Sequence, residues 1–138
     1  MMMVEQLMIE KEKRKQGNQK KFDLQDRFID YAVKIIHVSE QLPETKAGKH
    51  ISYQMLRSGT SPAANYGEAQ SAESKADFVH KLKVSLKELR ETEVWLKIIV
   101  KAKSIKPLTK LSTILQETDE LISILFKSID TAKKKHVQ

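Results

Sequence analysis

Residues 57–70 read RSGTSPAANYGEAQ. The stretch lies between two segments of strong helical periodicity, yet it holds Gly59, Pro62, Asn65 and Gly67, residue types that interrupt helices. As a loop it would suit an active site; as a helix it would mark a place of close packing. From Ser58 to Ala72 most side chains are small: Ser58, Gly59, Thr60, Ser61, Ala63, Ala64, Gly67, Ala69, Ser71 and Ala72. Small residues let helix backbones approach, at about 1 kcal/mol for each interior glycine relative to alanine. Pro62 removes a backbone hydrogen bond and costs more unless the helix bends or restarts there. Ser61 followed by Pro62 is a favourable N-cap and first-turn pair. The phosphate-loop pattern GxxxxGK[ST] and the dinucleotide pattern GxGxxG are both absent. The stretch therefore reads as a packing device, inside a helix that bends near Gly59–Pro62 and continues.

Outward from it, the periodicity predicts four helices, over about 23–41, 49–71, 74–102 and 108–133. In the first, Phe28, Ala32, Ile35, Ser39 and Leu42 follow the spacing of a bundle seam. Ile29, Val33 and Ile36 flank the seam on one side, and Leu24, Tyr31 and Val38 on the other. Together the rows span about 220° of helix surface, roughly twice what an isolated bundle hides. The surplus implies a second subunit, with Leu24, Tyr31, Val38, Tyr66 and Trp95 as its candidate contacts. Pro43 and Gly48 mark the first connection, and Ser71 or Ser74 is the N-cap expected for the third helix. That helix carries the seam Phe78, Leu82, Ser85, Leu89, Thr92, Leu96 and Ile99. The fourth keeps a heptad through Leu108, Leu111, Leu115, Thr118, Ile122, Leu125, Ile129 and Ala132. Amphipathic helices with short links favour an all-α, antiparallel up-down four-helix bundle over residues 22–134.

Composition narrows the function. A chain of 138 residues makes one domain. It has no cysteine, which excludes disulfides, thiolate catalysis and cysteine-ligated zinc. Neither a signal peptide nor a membrane span is evident, so a cytoplasmic location without membrane partners is expected. The net charge is +7, but residues 22–130 carry 16 basic and 15 acidic side chains. The excess resides in a basic N-terminal arm, residues 1–21, expected to be flexible, and at the other end in Lys133, Lys134 and Lys135, with residues 135–138 expected to form a basic C-terminal tail. Such ends bind phosphates by counterion release or simply keep a protein in solution.

The segments LRSGTSPAANYGEAQ and SKADFVHKLKVSLKELRETEVWL resemble the proteins encoded in intervening sequences of bacterial 23S ribosomal RNA genes, the S23 family. The matching positions are Arg57, Ser58, Thr60, Ser61, Asn65, Glu68, Ala69, Ser74, Lys75, Asp77, Phe78, Lys81, Leu82, Leu86, Glu88, Glu91 and Leu96, within a resemblance covering about 22–134. Pro62 and Tyr66 depart from the pattern. The resemblance implies a four-helix bundle assembling as a homopentamer. It also implies distant kinship to the accessory protein of diversity-generating retroelements, a basic pentamer that works with a reverse transcriptase and nucleic acid. It implies no established biochemical activity.

Catalytic patterns are weak. Asp77 and His80 have a metal-site spacing, but no second copy accompanies them. Ser58, Thr60, Ser61 and Ser85 lack a recognisable His and Asp arrangement. Glu88, Glu91 and Glu93 stand among lysines and arginines as partners for helical ion pairs. Antiparallel pairing places Arg57 opposite about residue 89, so Glu88 or Glu91 is its expected partner, and Asn65 is expected near Lys81. Ser58, Ser61, Asn65, Glu68, Glu88 and Glu91 complete the structural motif around Arg57. On the third helix, Lys83, Lys87, Arg90, Lys97 and Lys101 fall within about 80° of one another, away from the seam. Such a stripe tracks phosphates or is a solvated face, and no aromatic residue interleaves it. The sequence therefore favours a non-enzymatic, cofactor-free oligomer presenting basic surface to RNA or DNA, or acting as adaptor to a nucleic-acid enzyme. The alternative is a purely structural or protein-binding module.

Overall fold

The computed structural model describes residues 3–9, 23–102 and 111–137. Among the described residues it is all helical, with five helices and no strand. A short α1 covers residues 3–9, with Met3, Val4, Leu7, Met8 and Ile9 exposed. The long helices are α2 (Leu24–Gln41), α3 (Lys46–Gln70), α4 (Lys75–Lys101) and α5 (Leu111–Val137). The rest of the N-terminal arm, the connection through residues 103–110 with Leu108, and residue 138 lie outside the described residues. The helical backbone of α5 continues through residues 135–137.

Local chemistry sets the helix starts. Asp23, Thr45 and Ser74 each have extended backbone and a side-chain oxygen that accepts from a first-turn N–H, of Asp26, Gly48 and Asp77 respectively. Ser74, not Ser71, caps α4; Ser71 closes α3 instead. Thr45 places the start of α3 a turn earlier than the periodicity indicated. The residue before a proline is driven out of helical geometry, and α2 accordingly ends at Leu42, ahead of Pro43.

Consecutive long helices pack on one another, and α5 also touches α2. α2 and α3, and likewise α3 and α4, run in opposite directions along their contacts: Gln25 bonds Ala63 while Ser39 bonds Ser52, and Arg57 meets Glu88 while Glu68 meets Lys81. Phe28, Tyr31, Ile35, Met55, Leu82, Leu89, Leu96, Leu121 and Leu125 have no solvent-exposed surface. Five Ser and Thr residues are buried among the described residues; Ser58, Ser85, Thr92 and Thr118 each have a hydrogen-bond partner, as burial of polar groups favours, whereas the Ser39 hydroxyl has none.

The opening stretch is helical throughout. Pro62 sits inside α3 and cannot donate the usual N–H. Around it, side chains bond backbone carbonyls: Thr60 to Leu56 at 2.7 Å and Asn65 to Ser61 at 3.1 Å. Ser85 of α4 donates to the Pro62 carbonyl at 3.4 Å. At Gly59 α3 comes close to α2, because a Cβ there would lie 2.6 Å from Ile35 Cγ2.

Two expectations change. The seam of α5 runs through Ile114 and Leu121, while Leu115 and Ile122 are half-buried. Apolar residues stand side by side at both places, so spacing alone fits two seams, and contact with both α4 and α2 selects this one. On α2 the row expected to meet another subunit is used within the chain. Leu24, Tyr31 and Val38 are buried, and the Tyr31 hydroxyl hydrogen-bonds Thr118 of α5 at 2.7 Å. Those three are therefore core residues, not free contacts. It is the opposite row that faces outward, Ile29 being 46% and Val33 44% exposed.

Candidate nucleic-acid interface

Ion pairs beside the core join α3 and α4 in their antiparallel register. Arg57 Nη1 lies 3.0 Å from Glu88 Oε2, and Arg57 Nη2 donates to Glu91. Glu91 also accepts from Trp95 Nε1 at 3.0 Å, and Trp95 meets His50 edge-on at 5.7 Å. Beneath them Thr92 Oγ1 hydrogen-bonds Ser58 Oγ at 2.8 Å. One turn or more along, Lys81 pairs with Glu68 at 2.9 Å, which raises the Lys81 pKa through that hydrogen bond. Asn65 is not the partner of Lys81: its amide turns back to Ser61, 2.9 Å from Oγ. Tyr66 is half-buried, tilted against Phe28 with ring centres 5.3 Å apart.

Between α2 and α5 the equivalent link is Arg27, held by Glu117 at 2.9 Å and also by Glu120. The hydrogen bond from Arg27 holds the Glu117 carboxyl below its ordinary range against the opposing effect of burial. Sequence spacing carried no sign of this pair, because it joins residues 90 positions apart.

The basic arc of α4 faces solvent. Lys83, Lys87, Arg90, Lys97 and Lys101 are all exposed. Lys97 has Glu93 at 3.5 Å; among the described residues no carboxylate lies within ion-pair distance of the other four. Val94 is exposed within the same arc and Ile98 just beside it, so its half nearer Lys101 mixes cations with apolar side chains.

Residues from α5 complete the half nearer Lys83. Lys133 lines the same cleft as Lys83 and lowers the Lys83 pKa, because a neighbouring like charge disfavours the protonated form. Lys83, Arg90, Lys133 and Phe126 border a cleft of about 240 Å³ whose floor includes Leu86 and Ile129. A second cleft, about 340 Å³, continues past Lys83 and Lys133 toward Lys75 and His80. Neither Lys133 nor Phe126 was legible as part of this surface. They stand seven residues apart, hence on one face of α5, but only the register of α5 on α4 brings them to the arc. Among the described residues no three His, Asp or Glu side chains converge as metal ligands, and no helix is long and apolar enough to cross a membrane.

Residues 20–127 match the family model for the 23S rRNA-intervening sequence protein. The chain is also similar to a protein of unknown function from the S23 ribosomal protein family of Bacteroides thetaiotaomicron, known from a crystal structure at 1.70 Å. The two are 34% identical, with a TM-score of 0.71, over 78% of this chain and 98% of that one. No curated protein matches the chain.

Proposed function

The chain belongs to the 23S rRNA-intervening sequence protein family, and from that premise we propose that it is a non-enzymatic helical-bundle protein that self-associates as a pentamer and presents basic surface to nucleic acid. In this reading α2 to α5 form an antiparallel up-down four-helix bundle, supported by the opposed directions of α2 and α3 and of α3 and α4. The observation that carries the functional part is the exposed arc of Lys83, Lys87, Arg90, Lys97 and Lys101, where only Lys97 meets a carboxylate among the described residues. Self-association multiplies five such surfaces, so contacts weak in one copy act together. Contacts to phosphates position a nucleic acid without reading its sequence, so the binding is weakly sequence-specific.

The test joins mass and salt dependence. Light scattering is expected to give about five times the 15.9 kDa chain mass. RNA affinity measured by fluorescence anisotropy is expected to fall log-linearly with salt, and charge reversal at Lys83, Arg90 and Lys97 to abolish it. A folded 15.9 kDa species, or RNA binding indifferent to salt, overturns the reading. The second reading, a module that binds only protein, is favoured by the exposed apolar pairs Ile29/Val33 and Val94/Ile98. It predicts assembly with no RNA binding at low salt.

A further inference from the structure

The cleft between α4 and α5 has more chemistry than a phosphate needs. Two lysines from different helices, Lys83 and Lys133, meet at its rim, and Arg90 lies on the same border. Like charges brought together repel, so the pair gains when an anion sits between them. Asp130 also lines the cleft, with Lys134 at 3.0 Å, and among the described residues no carboxylate lies within ion-pair distance of Lys83 or Lys133. The fourth group is an aromatic ring. Phe126 is 59% exposed at the edge of this cleft, although neighbouring Leu125 and Ile129 are buried. A large ring left in water costs free energy in proportion to its apolar area, and an aromatic face beside cations is the arrangement on which unpaired bases stack.

We infer that this cleft binds single-stranded nucleic acid, with a backbone phosphate between Lys83, Lys133 and Arg90 and an unpaired base stacked on Phe126. The inference rests on the reading of the protein as a nucleic-acid binder and refines it: a duplex keeps its bases stacked on one another and offers none to the ring. The rest of the α4 arc holds backbone of either kind, whereas the cleft distinguishes the two.

Anisotropy titrations with an unstructured oligouridylate of about 12 nucleotides and with an RNA duplex of the same length test this on the full chain. Phe126→Ala is expected to weaken oligouridylate binding by about 5- to 150-fold, the value of one stacked base, and to leave duplex binding unchanged. Phe126→Tyr keeps a ring and retains the preference. Lys83→Gln with Lys133→Gln weakens both probes and lowers the single-strand salt slope by about 0.7 for each phosphate no longer neutralised. These side chains are exposed, so thermal melting and light scattering should match the parent protein. Equal weakening of both probes in Phe126→Ala, or loss of the oligomer, would show that the ring supports packing or assembly and overturns the stacking site. Undiminished oligouridylate binding in all three variants overturns the cleft while the broader nucleic-acid reading stands. Failure of the unmodified protein to bind either probe removes both.

Discussion

A methyl group added at Gly59 tests whether α2 and α3 are held as closely as their small residues allow. In an open helix, Gly→Ala stabilises by about 1 kcal/mol. At Gly59 the new Cβ would stand 2.6 Å from Ile35 Cγ2, 2.9 Å from Cγ1 and 3.1 Å from Cβ, where carbon contacts ordinarily lie at about 3.5–4.0 Å. Rotating Ile35 does not clear it, since Ile35 Cβ is fixed by the backbone and the side chain is fully buried. Overpacking of this kind costs about 1–3 kcal/mol. The net expectation for Gly59→Ala is a loss of about 1 kcal/mol, or about 3–5 °C in Tm for a chain of this size. Gly67 is the control on the same helix. There the nearest atom is Gln25 Oε1 at 3.2 Å, the end of a flexible side chain, so Gly67→Ala should be neutral or stabilising by up to about 1 kcal/mol. Ile35→Ala alone should cost about 2–5 kcal/mol. Combined with Gly59→Ala it should cost about 1 kcal/mol less than the two losses together, because the γ carbons that met the new methyl are gone. Urea and thermal unfolding followed by circular dichroism, at one protein concentration because association shifts Tm, measure all four variants. A Gly59→Ala protein more stable than its parent, or additivity in the double variant, would refute the close approach.

Arg57→Ala separates Glu88 and Glu91 from their shared cation and should destabilise by about 0.5–1 kcal/mol, an exposed guanidinium being worth no more; an unchanged Tm and mass would count against that pairing. Tyr31→Phe removes the buried bond to Thr118, whose hydroxyl still donates to Ile114 O at 2.7 Å, so a loss of about 0.5–1.5 kcal/mol is expected in chemical unfolding. Burial raises the Tyr31 pKa above its ordinary 10, so its contribution is full below pH 10 and is lost as pH rises further; the Phe variant should lose less stability on that alkaline limb. The Glu117 carboxyl is depressed from 4.5, so its contribution is present above pH 4.5 and lost as pH falls through the folded pKa. Glu117→Gln should flatten that acid limb of stability against pH, and an unaltered limb would place the acid sensitivity elsewhere.

What was legible followed from periodicity and caps. The apolar seams of α2 and α4 needed only helical spacing, and the small-residue stretch declared itself as helix interior because loop motifs were missing. The Arg57 contact with Glu88 and Glu91 followed from counting back from a turn, since antiparallel helices joined by a short connection share one register. Where neighbouring positions were both apolar, as at Ile114 and Leu115, spacing could not choose, and tertiary contact decided. The two rows flanking the α2 seam were equally apolar, and nothing local marked Tyr31 as the residue whose hydroxyl has a buried partner on α5. Arg27 with Glu117, and Phe126 with Lys83, depend on how α5 lies against distant helices, which pairwise spacing within one helix does not encode.

That same division bears on how copies would join. A closed ring of five requires a contact between two different faces of the chain, not one face meeting itself. The outward row of α2, Ile29 and Val33 with Asp30 and Glu40 exposed beside them, is apolar with an acidic margin. The distal half of the α4 arc, Val94 and Ile98 with Lys97 and Lys101, is apolar with a basic margin. Seating one on the next copy's other buries apolar surface on both sides and pairs the margins, whereas α4 against α4 would bring lysines together at a cost in desolvation and repulsion. Lys83, Lys133 and Phe126 line the cleft toward the start of α4, away from Val94 and Ile98. Ile29→Glu with Val33→Glu, and separately Val94→Glu with Ile98→Glu, should therefore each yield a folded species of 15.9 kDa by light scattering. The monomer should bind oligouridylate more weakly, without the benefit of multivalency, but still in a manner that Phe126→Ala reduces. An oligomer that survives either pair of substitutions would rule out this pairing of faces, since a carboxylate at the centre of a buried apolar contact is not tolerated without a partner.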